Sequence, residues 1–519
     1  MLDLGSSFVA SVARDPNAIA IVDGDLRLTY RQWYVKIASV VASFDRIGLK
    51  PGDHLITVLQ NRWEAATIHW ACQLAGIVIT PINWRAKADE LDFCIENSEA
   101  CALIYQDVSA EAVSKSRLAS GLQCVAVGGG VGNGGKAVAF ADMIADDSPD
   151  VTPRVSADAW SIMLYTSGTT SKPKGVPRRH RAERAAAVAH LAQNLYGRHE
   201  RTLGVMPLYH TMGVRSLIAM SLIGGTYVCL PRYDAQQALA LIEREKITNL
   251  YLVPTLYHDL VYHDEFAKRD VSCVRKLGFA GASMTDGLLK KLNEAFRPDL
   301  FVNHYGSSEI YTFTIDQDAV AKPGCAGKAG INQHVRVVKL NAASAEDVAA
   351  PNEEGEIVAL LAGDESFEGY WRRPDADAKS LRNGWYFTGD TGFKDDDGDL
   401  FVTGRVDDMI ITGGENVSPV EIESCLSLHP AVSEVAVVGL PDERWGKIVA
   451  AFVKRNASVS ERDLDQFCRT SGLANFKRPR RFVFVDAIPK SPVGKLLRRL
   501  LIEGEYEPER APPSTPLES

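Results

Sequence analysis

No run of 18 or more apolar residues occurs in the 519-residue chain, which argues against a membrane-spanning helix. Basic residues are in deficit, 57 against 66 acidic ones, for a formal net charge of -9. Phosphate-backbone binding needs a basic face, so nucleic acid is not an expected partner. The nine cysteines (Cys72, Cys94, Cys101, Cys124, Cys229, Cys273, Cys325, Cys425 and Cys468) show no CxxC pair and no metal-ligand spacing. An odd number, mostly within apolar runs, reads as reduced core thiols of a cytoplasmic protein. Residues 1–10 lack a basic start and a long apolar stretch, so no secretory signal is expected. The Walker spacing G-x-x-x-x-G-K-[ST] is also missing. A G-x-G-x-x-G match, Gly130-Val-Gly-Asn-Gly-Gly135, is followed by no amphipathic helix and reads as a flexible surface connection.

What the chain does have is Tyr165-Thr-Ser-Gly-Thr-Thr-Ser-Lys-Pro-Lys-Gly175, directly after an apolar run, 160–164, that reads as a strand. Glycine lets backbone approach a ligand closely, amides and hydroxyls donate, and Lys172 and Lys174 neutralise charge. Such a loop suits a polyphosphate. A plain surface turn rich in Ser and Thr is the alternative.

A chain of this length exceeds one ordinary core, so two or more domains are expected. Residues 16–32 suggest a hairpin, then a helix runs from Arg31 toward Gly48. A strand at 54–59, a helix at 63–74, a strand at 76–81 and a helix from Asp89 imply crossover connections and a mostly parallel sheet. A helix at 182–195 and a strand at 203–207 lead to Leu208-Tyr-His-Thr-Met-Gly213, at a strand end where open α/β sheets place ligands. Helix, strand and helix follow through residue 270, then strands at 277–283 and 300–306. From about residue 325 short strands, glycine turns and acidic loops indicate a small β-subdomain. Residues 407–415 read as a junction, residues 416–502 as a compact α+β unit, and the Pro- and Glu-rich end, 504–519, as a disordered tail. The expected fold is therefore α/β: a large domain over 1–406 of layered, mostly parallel sheets, with a smaller α+β domain over 407–503.

The loop at 165–175 resembles the signature of the adenylate-forming superfamily of acyl-CoA synthetases, luciferases and peptide-synthetase adenylation domains, with Ser171 where most members carry glycine. Four further motifs match in the family's order: Asn303-His-Tyr-Gly-Ser-Ser-Glu309, Gly384-Trp-Tyr-Phe-Thr-Gly-Asp390, Gly404-Arg-Val-Asp-Asp-Met-Ile-Ile-Thr-Gly-Gly-Glu-Asn416 and Ile488-Pro-Lys-Ser-Pro-Val-Gly-Lys495. Chance explains any one of the five, but not all of them in order. Segments 279–284, 405–416, 444–446, 476–480 and 495–499 are most similar to bacterial 4-chlorobenzoate-type CoA ligases.

The resemblance implies a two-step reaction. A carboxylate attacks ATP to give an acyl-adenylate and pyrophosphate, and the thiol of CoA then displaces AMP. It assigns Thr166, Ser167, Gly168, Thr169, Thr170 and Lys174 to the phosphates, and Gly281, Ala282, Ser283, Asn303, Tyr305, Gly306, Ser307 and Ser308 to the nucleotide. Asp390 and Arg405 go to the ribose, Glu309 to Mg²⁺, and Lys495 to the transition state of adenylation, with Thr166, His210 and Glu309 as further catalytic residues. His210, Thr211, Met212, Ala280, Gly281, His304, Gly306, Tyr311 and Thr312 would line the acyl pocket. Arg85, Gly413, Gly414, Trp445, Phe476, Arg478 and Arg480 would meet CoA, and Asp407 would be the hinge on which the terminal domain rotates.

The stretch 206–213 has no carboxylate to pair a substrate ammonium, which disfavours amino acids. His304, Tyr311 and Thr312 stand where a purely apolar substituent would leave polar groups unpaired, pointing to an aromatic or heteroaromatic acid with a polar substituent. A His304 turned into the core is the competing reading. Medium-chain fatty acids and a carrier protein as acceptor are the alternative substrates. A homodimer is the candidate assembly.

Overall fold

A computed structural model describes residues 1–129, 137–145, 150–166, 173–406, 408–413, 415–490 and 496–510. Among them 26 strands form three sheets. The first has seven strands, in the order Val138–Ala139, Gln123–Val127, Ala102–Gln106, His54–Val58, Val78–Pro81, Trp160–Thr166, Lys174–Arg179. Every pair is parallel except the last. His54–Val58, Val78–Pro81 and Ala102–Gln106 are buried throughout, as parallel strands covered on both faces must be. The crossover helix Trp63–Ala75 is apolar nearly all round and ends on Gly76 in the left-handed region.

The second sheet carries fourteen strands. Its hairpin, Ile19–Asp23 with Leu26–Thr29, leads into a parallel row of Thr226–Cys229, Arg201–Gly204, Asn249–Leu252, Lys276–Ala280 and Leu300–Tyr305. The segment 213–270 holds one more strand and one more helix (Asn249–Leu252, Pro254–Val261) than the expected helix–strand–helix. After Leu300–Tyr305 the direction reverses. Thr314–Asp316, Cys325–Ala329, Leu400–Arg405, Trp385–Lys394, Gly355–Leu360 and Val335–Lys339 pair antiparallel. The expected β-subdomain is thus no separate sheet. Thr314–Asp316 returns alongside Leu300–Tyr305 and offers its free edge to Cys325–Ala329, joining the two regions through hydrogen bonds.

Helices His180–Gln193 and Thr211–Ile223 pack together between these sheets, and one core cluster runs from Ile162 of the first through Ala186 and Leu217 to Tyr227 of the second. The third sheet has five strands and belongs to the terminal unit, where Ile410–Thr412, Glu415–Val417, Val432–Asp442, Gly446–Arg455 and Arg481–Phe484 pack with helices Pro419–Ser427 and Glu461–Thr470. It meets the body at His258, whose Nε2 lies 3.2 Å from the Ser433 carbonyl, and at Gly287, whose N–H donates to Ser427 Oγ at 3.4 Å. The described residues of the terminal unit run on to Arg510. Tyr506 packs on Phe452, Pro508 bridges to Val485, and Glu509 pairs with Arg455 at 2.5 Å.

Candidate active site

The strands Trp160–Thr166 and Lys174–Arg179, on either side of the hydroxyl- and glycine-rich run, pair antiparallel. Thr166 ends one strand and pairs with Lys174, which begins the next. Ser167, Gly168, Thr169 and Thr170 lie outside the described residues. Lys174 places its Nζ 4.1 Å from the centre of the Tyr370 ring. Burial pulls the pKa of this half-buried ammonium down, while the Glu309 carboxylate pulls it up. Glu309 is itself buried, and its Oε1 accepts from the Tyr370 hydroxyl at 2.7 Å. One ammonium and one carboxylate from two separate motifs therefore share a corner with the Tyr370 phenol, which belongs to neither.

The strand Leu300–Tyr305 sorts its side chains by alternation. Asn303 and Tyr305 face the antiparallel half of the sheet. There Asn303 donates to the Cys325 carbonyl at 2.6 Å, and Tyr305 donates to Asp390 Oδ2 at 2.6 Å. Asp390 and Arg405 are cross-strand neighbours, with Nε 3.6 Å from Oδ1. Burial first, then the Asp390 charge, pushes the Tyr305 phenol well above its ordinary pKa. A β-carbon on Gly306 would fall on the Tyr311 carbonyl, so only glycine lets these strands approach. The Ser307 hydroxyl accepts from the Glu309 N–H at 3.2 Å, so it shapes the turn, and the Ser308 and Glu309 carbonyls accept from buried Arg178. Gly281, at φ +85°, and the partly exposed Ala282 and Ser283 follow the neighbouring strand Lys276–Ala280.

His304 points to the opposite face, beside Ala280 in register, toward helix Thr211–Ile223. That helix is capped by His210, whose Nδ1 accepts from the Met212 N–H at 3.3 Å. Thr211 and Met212 are buried in its first turn, and Gly213 fits against the Met206 and Pro207 carbonyls. The expectation that His304, Tyr311 and Thr312 offer unpaired polar groups is corrected here. Tyr311 donates to Glu183 at 3.1 Å beneath the Arg178 guanidinium, 3.8 Å from its ring. Thr312 Oγ1 accepts from Arg215 at 3.0 Å and lies 3.3 Å from His304 Nε2. His304 Nδ1 lies 3.2 Å from Arg215 Nη2 and 3.0 Å from the Tyr251 hydroxyl. Arginine can only donate, so Nδ1 is the acceptor and Nε2 carries the proton. Burial, then the Arg215 charge, holds His304 neutral, well below its ordinary pKa.

Arg215, Tyr251 and His190 were missed in the sequence. The signal was there: Arg215 is the single charge in the run 211–223. His190 stacks on His304 at 5.6 Å and meets Tyr251 edge-on at 4.7 Å.

The residues expected at CoA divide into groups. Gly413 packs against the Trp445 ring and donates to its carbonyl at 3.0 Å, while Arg480 covers the other part of that ring at 4.3 Å. Arg478 is tied to Asp465 at 2.7 Å, and Phe476 is 40% exposed nearby in sequence. Arg85 belongs to the first sheet's unit, stacked on Trp84 at 3.7 Å, with its pKa lowered by burial. Asp407, Gly414 and Lys495 lie outside the described residues. Lys490 and Leu496, flanking the segment that ends in Lys495, bridge antiparallel, and Lys490 pairs with Glu434. Among the described residues the one grouping of acidic side chains close enough for a shared ion is Asp395, Asp397 and Asp399. The Lys322 ammonium already sits among them, far along the sheet from Glu309.

Residues 8–371 match the family model of AMP-binding enzymes, and residues 421–495 match that of the AMP-binding enzyme C-terminal domain. The chain is 34% identical to a 4-chlorobenzoate–CoA ligase of Arthrobacter sp over 516 residues, 97% of this chain and 96% of the relative. It is 33% identical to a long-chain-fatty-acid–CoA ligase of Mycobacterium tuberculosis over 92% of this chain and 93% of that one. Among solved structures it superposes on an anthranilate CoA ligase in complex with anthranoyl-AMP with a TM-score of 0.89 and 25% identity, covering 97% of each chain.

Proposed function

Since the chain belongs to the AMP-binding enzyme family, we propose that it is an ATP-dependent acid–thiol ligase that converts an aromatic or heteroaromatic carboxylic acid to its CoA thioester. The carboxylate oxygen forms a bond to the α-phosphorus of ATP and pyrophosphate leaves. The CoA sulfur then attacks the acyl carbon, and AMP leaves as the proton passes from the thiol to solvent.

The observation that carries the reading is the convergence of Lys174, Glu309, Tyr305, Asp390 and Arg405, drawn from four motifs, on one end of the second sheet. In this assignment the loop 166–170 and Lys174 hold the phosphates. Tyr305 lies against the adenine, and Asp390, relieved of Tyr305, accepts from the ribose hydroxyls beside Arg405. Glu309 suits a hard divalent cation, since among the described residues its buried carboxylate accepts from a phenol and is in no ion pair. Mg²⁺ held there would draw negative charge off the phosphate oxygens. Gly413, Trp445 and Arg480 supply a flat aromatic and a cation for CoA. Lys495 meets the α-phosphate when the terminal unit, hinged at Asp407, brings it in.

A fatty acid substrate is the second reading, favoured by the mycobacterial relative. Against it stands the polar cluster behind Gly306, already buried in the protein, whose unpartnered donors an alkyl chain could not satisfy. A panel of aromatic and C6–C12 acids assayed for AMP release and CoA consumption separates the two. Aryl acids are expected to give the highest kcat/KM. Octanoate surpassing every arene would overturn the aryl assignment, and AMP release without CoA loss would transfer the acceptor role to a carrier protein.

A further inference from the structure

The polar cluster behind Gly306 has a charge left over. Arg215 is 2% exposed and spends Nη1 on the Tyr311 carbonyl and Thr312, and Nη2 on Tyr251 and His304. All four partners are uncharged. Among the described residues no carboxylate lies within ion-pair distance of it. Glu183 is taken by Arg178, and fully buried Glu365 accepts from Asn332 at 3.0 Å through one oxygen, leaves the other unpartnered, and feels Thr312 and Arg215 from beyond ion-pair distance. Burial raises the Glu365 pKa even against the Arg215 charge, which favours its neutral form. A guanidinium held in a low-dielectric site by neutral groups alone is costly unless an anion joins it.

Two donors point the same way. Arg215 Nε is buried and unpartnered. His190 Nδ1 is 2.9 Å from the Asn194 amide nitrogen, which donates to it, so the proton sits on Nε2, and that atom too is buried without a partner. The two belong to one cluster, because His190 stacks on His304 and the Arg215 charge helps depress the His190 pKa. His304 is cross-strand neighbour to Ala280, and Arg215 lies one turn beyond Thr211 on the helix capped by His210.

From this we infer that the acid carries a second, anionic oxygen group on its ring, which enters the cluster and accepts from Arg215 Nε and His190 Nε2. The inference rests on the ligase reading, in which the acyl group lies between His210, Ala280 and Gly306. Arg215 acts there as a specificity residue, remote from the reacting phosphorus. The anion completes a buried ion pair, and a neutral group of the same shape leaves the guanidinium uncompensated.

The test compares isosteres that differ in charge: isophthalate against 3-nitrobenzoate and terephthalate against 4-nitrobenzoate, by kcat/KM for AMP release with ATP and CoA. The wild-type enzyme is expected to prefer the dicarboxylate of the better-placed pair by at least about 100-fold, within the range that buried polar mismatches produce. In Arg215→Met that ratio is expected to collapse to within about 10-fold, chiefly through KM. Arg215→Lys, which keeps the charge but loses the fork, should hold an intermediate ratio and covers the case in which the methionine variant does not fold. A wild-type enzyme that favours the nitro acids in both pairs, or a ratio unmoved in a folded Arg215 variant, overturns the inference. Turnover of no carboxylic acid at all would instead remove the ligase reading on which it stands.

Discussion

At the scale of single residues, the chemistry depends on a few charges whose surroundings set their state. Asp390 is held by the Tyr305 phenol and by Arg405, both of which would have to give way to a ribose. Asp390→Asn keeps the shape and removes the charge. Charge-assisted hydrogen bonds contribute about 1.5–3 kcal/mol, so KM for ATP should rise roughly 10- to 100-fold with melting temperature little changed. An unaltered KM would take the ribose away from Asp390. Asp390, which closes one glycine-bearing motif, and Arg405, second in another, were each readable as motif residues and pair across adjacent strands. Arg215 was not, since its partners Tyr251, His304 and Thr312 come from three other segments and no local pattern announces them.

Burial of histidine has a measurable consequence as well. His69 is fully enclosed, and desolvation pushes its pKa down to about 3, while that of His180 is pushed to about 4. A group depressed in the folded state binds its proton more readily when unfolded. The stability its neutral form contributes is therefore complete above the unfolded value, about 6.5, and drains away as pH falls toward the folded one. Each such histidine adds up to about 1.4 kcal/mol per pH unit in that window. His69→Gln should flatten the dependence of unfolding free energy on pH between 6.5 and 5 by up to one proton's worth. Denaturant titrations that give parallel slopes for variant and wild type would show that His69 is not protonated on unfolding.

At the scale of elements, close backbone approaches position the groups. Gly213 lets the first turn of helix Thr211–Ile223, capped by His210 and carrying buried Arg215, seat on the Met206 and Pro207 carbonyls. Gly213→Ala forces that turn away. Overpacking of this kind costs about 1–3 kcal/mol, so melting temperature should fall and adenylation should drop more than tenfold together. A variant with wild-type melting and kinetics would mean that the turn moves freely. The strand Lys174–Arg179 was hidden in the sequence for a physical reason. It is basic and contains Pro177, features that argue against a central strand. As the outermost strand of its sheet it needs no second row of hydrogen bonds. Parallel strands at 54–59 and 76–81, by contrast, were plain as short, mostly apolar runs, whereas Asn249–Leu252 was not expected.

At the scale of the molecule, the question is how a terminal unit with its own sheet and core takes part in a site on the body. Among the described residues its hydrogen bonds with the body include His258 with Ser433, Gly287 with Ser427, and Ser418 with the Thr403 carbonyl. Interfaces between units of one chain allow relative motion as the default. Lys490 and Leu496, the described residues on either side of 491–495, bridge antiparallel within this unit. A cation needed only while the α-phosphate is attacked should matter to one half-reaction alone. Removing such a donor costs about 3–4 kcal/mol, roughly 10²- to 10³-fold in rate. Lys495→Ala is therefore expected to lose acid-dependent pyrophosphate exchange by that factor, while thioester formation from supplied acyl-adenylate and CoA stays within about threefold of wild type. Gly413→Val, whose side chain would collide with the Trp445 ring, should do the reverse. If both variants slowed both steps alike, the two surfaces of the terminal unit would be serving a single arrangement, and rotation about residue 407 would have no part in the cycle.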